Sequence, residues 1–396
     1  MVKRLIALAC AVTVFGMTTN VFANEYYIED NEPIHRPFSA KKMLPLSPEY
    51  ADLVYYEITD LIESGSVLVM DADTGEVLFE IDGFSRRYPA SVTKVMTAIV
   101  VLENVHNLDE VVSFSYTAID LPWYAARMWM EEGETLTVRD ILYGLMLSSG
   151  NDLARGVAEH VSGSVEAFVN EMNRRAVEMG AFNTRFINPC GLPGDNQYIT
   201  AYDLALIMRE AIQIPMFVEI ISTAYYGFPA TNEHPEGRVI HNTHRMIRQF
   251  FEYEYDPRIV GGKTGFTNAA QHTLVSYAQY DEFSLIISVL FSPNRTIFSD
   301  TRLLMDYVFD QLVSERDEAL RFEEFRLEQE RLERERELAL QNEENQPIVI
   351  DIANKYFPLT PIYISDTEAL AIAASSLGLA VLSLGIIKLI YSRKDF

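Results

Sequence analysis

Ser66-Val-Leu-Val-Met70, Asp71-Ala-Asp-Thr-Gly75 and Glu76-Val-Leu-Phe-Glu-Ile81 follow one another without a gap. Two β-prone apolar runs around a cluster of turn formers predict a β-hairpin. From about residue 91 to 222 the periodicity changes to mainly helical, with loops at Gly133, Gly163 and the Asn188-Pro-Cys-Gly-Leu-Pro-Gly194 cluster. After Gly261-Gly262 strands return: Thr273-Leu-Val-Ser-Tyr-Ala278 and residues 283–291 alternate or run apolar across a turn at Asp281-Glu282. Strands at both ends with helices between them predict one sheet closed by distant segments, an α+β arrangement with a helical insertion.

Further out, the two ends read as membrane-directed. Lys3-Arg4, an apolar run to about Met17 and Val21-Phe22-Ala23 match a signal peptide cleaved after Ala23. Residues 24–45, with Pro33, Pro37 and Pro45, read as an extended leader, and 46–313 as the main folded domain. Residues 296–313 predict a helix with Ile297, Leu303-Leu304, Tyr307-Val308 and Leu312 on its buried stripe. Of the 32 residues 314–345, 18 are charged, 12 acidic and 6 Arg. Pairs such as Glu330/Arg334 predict a solvated helical spacer there, about 48 Å long if unbroken. Residues 346–368, with Pro358 and Pro361, form a juxtamembrane linker. The uncharged stretch 369–387, followed by Lys388 and Arg393-Lys394, predicts one spanning helix over 369–391 and a cytoplasmic tail, 392–396. The main folded domain is thus expected outside the membrane.

Composition removes several classes. Asp plus Glu number 57 against 32 Lys plus Arg, and the net charge of −25 repels a phosphate backbone, which argues against nucleic-acid binding. With 48% hydrophobic residues most of the chain should fold. Cys10 leaves with the signal peptide, so Cys190 alone can support neither a disulfide scaffold nor a Cys-rich zinc site. No cofactor or metal is expected.

Three short motifs carry chemistry. In Pro89-Ala-Ser-Val-Thr-Lys94 the proline marks a helix start, and the i,i+3 spacing sets Ser91 Oγ and Lys94 Nζ on one face. Such a pair can act as nucleophile and base if burial lowers the lysine pKa, although a helix cap with a surface lysine has the same spacing. Ser149-Gly150-Asn151 sets a hydroxyl and a carboxamide on one loop, to relay a proton and hold an amide; a helix cap is the plainer alternative. Lys263-Thr264-Gly265 opens the returning sheet, where an edge strand offers backbone pairing to a peptide. Lys263 and Thr264 there offer charge and a hydroxyl to a carboxylate, and Gly265 permits close approach.

All three occur in the order found in the penicillin-recognising serine enzymes, Ser-x-x-Lys, Ser-x-Asn and Lys-Thr-Gly. Across residues 60–313 the chain resembles the serine-type D-alanyl-D-alanine carboxypeptidases of peptidase family S11, low-molecular-mass penicillin-binding proteins. The likeness rests on Pro89-Ala-Ser-Val-Thr-Lys-Val-Met-Thr-Ala98, Leu147-Ser-Ser-Gly-Asn-Asp-Leu-Ala154, Asn188-Pro-Cys-Gly-Leu192, Thr200-Ala-Tyr-Asp-Leu-Ala205 and Gly262-Lys-Thr-Gly-Phe-Thr267. The resemblance implies a DD-peptidase/β-lactamase-like α+β fold, an antiparallel sheet flanked by helices plus a helical lobe, with the site between them. It implies Ser91 as nucleophile, Lys94 as its base, Ser149 as proton relay and Asn151 positioning Lys94 and the substrate amide. Lys263, Thr264 and Gly265 would bind the terminal carboxylate end, and the backbone N–H groups of Ser91 and Phe266 would hold the oxyanion. The implied partners are a peptidoglycan stem peptide ending in D-Ala-D-Ala and β-lactams as covalent inhibitors.

The chain departs from its relatives at three places. His244 stands where they often have Asn, Cys190 where they often have His or another polar residue, and a charged helix where they commonly carry a β-sandwich domain. Two rival readings remain. A class A β-lactamase needs a Glu-activated water, for which Glu166 is the candidate, although Phe168 and Met172 place it on a packing helix only 15 residues after Asn151. A catalytically weak, wall-binding regulatory protein on the same fold is the other. A zinc peptidase is disfavoured, because His241 and His244 form no His-Glu-x-x-His motif.

Overall fold

The computed structural model describes residues 58–232, 234–293, 296–344, 348–350 and 362–364. The signal peptide, leader, spanning helix and tail expected from the sequence lie outside these residues. Among the described residues no helix is long and apolar enough to cross a membrane.

The hairpin forms as expected. Strand β1 (Ser66–Asp71) pairs antiparallel with β2 (Val77–Ile81), Val67 opposite Ile81. Asp71 makes the turn: its Oδ1 accepts from the N–H groups of Asp73 at 3.0 Å and Thr74 at 2.7 Å. This carboxylate substitutes for the ladder that the chain leaves there. After the helices the chain returns as β7 (Ile259–Thr267), β8 (Gln271–Tyr280) and β9 (Phe283–Ser292). Together with the hairpin these make one five-stranded sheet in the order β2-β1-β9-β8-β7, antiparallel at every pairing. The distant segments meet where β9 lies beside β1, Val67 opposite Val289.

Both faces of this sheet are covered, which is why its strands read as apolar runs as much as alternations. Leu68, Met70, Val275, Ile286 and Leu290 face one core, and Val67, Val69, Leu274, Ile287 and Val289 face the other. The first core is shared with α1 (Lys94–Asn104), α2 (Val138–Leu147), α3 (Asn151–Ser162), α4 (Val165–Glu178), α5 (Ala201–Ala211) and α6 (Pro215–Ser222). The second is closed by the start of α7 (Ile297–Glu344), through Ile297, Leu304, Met305, Val308 and Phe309. Two short ribbons complete this part: β3 (Val111–Ser113) with β4 (Thr135–Thr137), and β5 (Tyr225–Phe228) with β6 (Arg238–His241).

The chain divides into two units, Met1–Ser314 and Glu315–Phe396. In the second, residues 318–341 of α7 are exposed, and Arg326 pairs with Glu323 and Glu330, as Arg331 does with Glu328. The expected linker contains one antiparallel pairing, β10 (Ile348–Ile350) with β11 (Ile362–Ile364), where the sequence suggested no element.

Candidate active site

The nucleophile candidate sits on a forced turn. Residues Ala90–Thr93 form a single 3-10 turn after Pro89, and α1 starts at Lys94. In this tighter winding residues i and i+3 eclipse, which brings Lys94 Nζ to 3.0 Å from Ser91 Oγ. Ala90 has φ +51°, a region that costs a side-chain-bearing residue energy, so the turn is held by its surroundings. Thr273 Oγ1 on β8 donates to the Pro89 carbonyl at 3.0 Å, and Thr97 Oγ1 donates to the Pro189 carbonyl at 2.6 Å.

Lys94 is no surface residue. Its side chain is wholly buried, and its Nζ also donates to Asn151 Oδ1 and to the Cys190 carbonyl, both at 2.7 Å. Burial pulls its pKa down to about 8, against the opposing influence of Cys190 and the Asp152 carboxylate. Roughly a tenth of such lysines are neutral at pH 7, enough to provide a base without a second residue.

Asn151 reaches Lys94 because it does not cap its helix. Gly150 occupies the N-cap of α3, leaving the Asn151 carboxamide free to turn inward. The neighbouring Asp152, 1% exposed, accepts from the N–H groups of Met128 and Met130 and so fixes this end of α3 to the preceding loop. Ser149, in the left-handed region at φ +65°, has its Oγ without a hydrogen-bond partner among the described residues, and it lines the cleft.

The third motif arrives on β7, the edge strand of the sheet. A Cβ on Gly265 would lie 2.4 Å from Thr273 Oγ1 and 2.7 Å from the Ser91 nitrogen, so only glycine lets the strand approach the nucleophile turn. Thr264 faces the cleft and its Oγ1 lies 2.6 Å from Thr243 Oγ1. Phe266 is half exposed on the same wall. Lys263 differs from the rest: it is 1% exposed, does not line the cleft, and its Nζ donates to the Thr264 carbonyl at 3.1 Å. Burial, and then the charge of Lys94, hold its pKa well below the ordinary lysine value. The cationic side chains on the cleft wall are instead Arg245, paired to Glu254, and Arg248, packed against Phe251.

These walls enclose about 980 Å³. No carboxylate is among the described residues lining it, and Glu166, exposed in the first turn of α4, is not there. His244 and His241 go to separate places. His244 is buried with Nε2 at 2.8 Å from Ser276 Oγ, while His241 is exposed beside Tyr225. Burial, helped by the Lys263 charge, lowers His244 to about 3 and keeps it neutral.

Sequence reasoning missed the group that completes the lysine's environment. The Cys190 side chain is inert, but its carbonyl accepts from Lys94, and Asn188 aims it. Asn188 Oδ1 accepts from the N–H groups of Cys190, Gly191 and Leu192 at 3.2, 2.7 and 3.2 Å. A Cβ on Gly191, at φ +86°, would fall 1.8 Å from the Ala90 carbonyl oxygen. The turn-forming cluster and its place among the family motifs were the available signals, and they marked a loop without showing where its carbonyl lands.

A hydroxyl on a buried, partly neutral lysine, at the junction of a helical lobe and an antiparallel sheet, is the arrangement that an activated serine nucleophile requires. A family model described as D-alanyl-D-alanine carboxypeptidase matches residues 55–294, and the chain belongs to that family, peptidase family S11. A D-alanyl-D-alanine carboxypeptidase of Bacillus subtilis (strain 168) is 32% identical over 256 residues, covering 63% of each chain. One from Mycobacterium tuberculosis is 33% identical over 226 residues, 57% of this chain and 73% of the relative. Among solved structures, the D-alanyl-D-alanine carboxypeptidase of Mycobacterium tuberculosis H37Rv superposes with a TM-score of 0.57 at 30% identity, covering 63% of this chain and 91% of that one. A point mutant of the Streptomyces K15 DD-transpeptidase gives 0.57 at 29%, covering 63% and 98%. The match thus spans less than two thirds of the Bacillus protein's length.

Proposed function

We propose that the protein is an exported, penicillin-sensitive serine carboxypeptidase that removes the terminal D-Ala from peptidoglycan stem peptides. The observation that carries this reading is the buried Lys94 Nζ, held at once by Ser91, Asn151 and the Cys190 carbonyl. In the reaction Ser91 Oγ bonds to the carbonyl carbon of the penultimate D-Ala while its proton passes to neutral Lys94. The oxyanion is held by the backbone N–H groups of Ser91 and Phe266; one such donor is typically worth about 2.7–4 kcal/mol. The C–N bond breaks as the leaving amine takes a proton through Ser149 Oγ, which has no competing partner among the described residues. Water then hydrolyses the ester and releases the tetrapeptide. Asn151 steadies Lys94 and meets the substrate amide. Thr264 with Thr243 receives the terminal carboxylate, and Lys263, buried with its Nζ donating to the Thr264 carbonyl, supports that wall. Gly265 keeps that strand against the nucleophile. The relatives named as carboxypeptidases support the same assignment. Glu166, exposed and away from the cleft, gives no support to a class A β-lactamase, and the intact Lys94 contacts favour turnover over a purely wall-binding role.

The ends of the sequence support export through residues 1–23, anchoring through 369–391 and a spacer over 314–345. One experiment tests the whole reading. Purified protein incubated with a pentapeptide ending in D-Ala-D-Ala should release free D-Ala, and penicillin should add one adduct, mapped to Ser91 and absent from Ser91→Ala. Labelled cells should carry that adduct in the membrane fraction, whereas a chain ending at Gln346 should release it to the medium. An adduct on another residue, or no D-Ala from folded protein, rejects the catalytic assignment; a truncated chain that stays membrane-bound rejects the anchor.

A further inference from the structure

Both tryptophans of the chain lie in the loop 121–130, Leu-Pro-Trp-Tyr-Ala-Ala-Arg-Met-Trp-Met. They point outward. Trp123 is 89% exposed, Tyr124 60% and Trp129 56%, although large aromatic side chains normally contribute most by leaving water. The loop that carries them is fixed. Met128 and Met130 are buried, and their N–H groups donate to the Asp152 carboxylate at 2.8 and 3.2 Å. The Asn151 N–H donates to the Ala126 carbonyl at 2.9 Å. Arg127 closes the loop on itself through the carbonyls of Leu121 and Pro122 at 2.9 and 2.6 Å. Between its two buried methionines Trp129 has φ +63°, a backbone region that bulky residues avoid, and this turns its ring to the surface.

The position of this loop suggests its ligand. Tyr124, Ala125 and Ala126 form part of the wall of the catalytic cleft, so the aromatic surface is continuous with the site. Its chemistry is flat, amphipathic and nearly uncharged: aromatic faces, an indole N–H on each tryptophan, a phenol, and the Arg127 guanidinium 5.1 Å from the Trp129 ring centre. A pyranose ring fits such a surface, because its C–H groups meet the negative face of an aromatic ring while its hydroxyl and acetamido groups meet the polar rim. On the functional reading above, the peptide in the cleft is joined at its other end to a glycan.

We propose that loop 121–130 is a glycan-binding platform that holds the sugar strand of the wall polymer while its stem peptide occupies the cleft. The inference rests on that functional reading for the identity of the ligand, but its test does not depend on turnover. Because the chain has no other tryptophan, its intrinsic fluorescence reports on this loop directly. Stem-free peptidoglycan glycan strands, titrated into the full chain, should quench or shift the emission in a saturable way. Trp123→Ala and Trp129→Ala should each weaken that response, and Trp129→Phe should retain it.

In the matching activity assay, the double alanine variant should release D-Ala from free pentapeptide at the wild-type rate. It should act on pentapeptide-rich sacculi roughly tenfold more slowly, through a higher apparent KM, as expected for losing aromatic contacts of this size. Equal loss on both substrates would mean that the loop only supports Asn151, and would overturn the proposal. So would an absent glycan response, or a response confined to lipid vesicles of phosphatidylglycerol and phosphatidylethanolamine, which would assign the surface to the membrane. If wild-type protein releases no D-Ala at all, the carboxypeptidase reading fails while the fluorescence titration still decides this one.

Discussion

Lys94 and Arg326 are both cations within reach of acceptors, yet they belong to opposite regimes. Lys94 lies in the first unit with no exposed surface, bound to a hydroxyl, a carboxamide and a carbonyl, none of which carries a compensating charge. Arg326 lies in the second unit on an exposed helix, flanked by Glu323 and Glu330 at i−3 and i+4. The exposed ion pairs look stronger by geometry, but water screens them and side-chain entropy offsets most of what remains. The buried lysine has no ion pair, and desolvation moves its pKa to about 8, which suits it to the base's role proposed above. Ionic contacts are therefore a poor guide to function here, and desolvation without a directly paired counter-charge is a better one.

The largest effect should come from removing the buried cation. Lys94→Met is expected to slow acylation by penicillin by about 10²–10⁴-fold, the usual contribution of a positioned base, while leaving the thermal midpoint no lower. In the wild-type protein the neutral amine is the active form. Acylation should therefore rise about tenfold per pH unit below the lysine pKa and level off above about 8. Stopped-flow acylation across pH 6–9 checks both, and a flat profile or an unimpaired variant would remove Lys94 from the base's role.

A smaller effect is expected at His244, which is buried and does not line the cleft. Its folded pKa, about 3, lies below the unfolded value of about 6.5, so the unfolded chain binds the extra proton first. The stability this group contributes is present above about pH 6.5 and is lost as pH falls toward 3. His244→Asn should flatten that decline in urea titrations at pH 7, 5 and 4; an unchanged slope would mean that other groups set it.

The smallest effect should come from the exposed pair. Glu323→Gln with Arg326→Gln is expected to leave the thermal midpoint of the first unit unchanged in calorimetry at low salt. A clear drop would show that these exposed pairs stabilise the fold and that the contrast between the two regions is weak.

Much of the fold was legible. The hairpin at residues 66–81 announces itself through two β-prone apolar runs around a cluster of turn formers, and the return of strands after Gly261 implies a sheet closed by distant segments. The charged stretch 314–345 reads as helix because its i,i+4 pairs have no other use. The strand order was not legible, since β1 pairs with β9 across more than 200 residues and either edge of the hairpin could have received it. Nor was the burial of Lys263, because a lysine in a strand normally faces water and only the two-sided covering of this sheet removes it.

The sequence by itself determined which residues could react. Ser91 and Lys94 are three positions apart after a proline, so local winding alone brings them within hydrogen-bond reach. Tertiary structure decided whether they do. Asn151 reaches Lys94 from 57 residues away and the Cys190 carbonyl from 96, and burial by the surrounding core lowers the lysine pKa toward the range a base needs. A backbone carbonyl has no identity in a sequence, and desolvation is a property of the packing around a group, so neither could be read until the chain had folded.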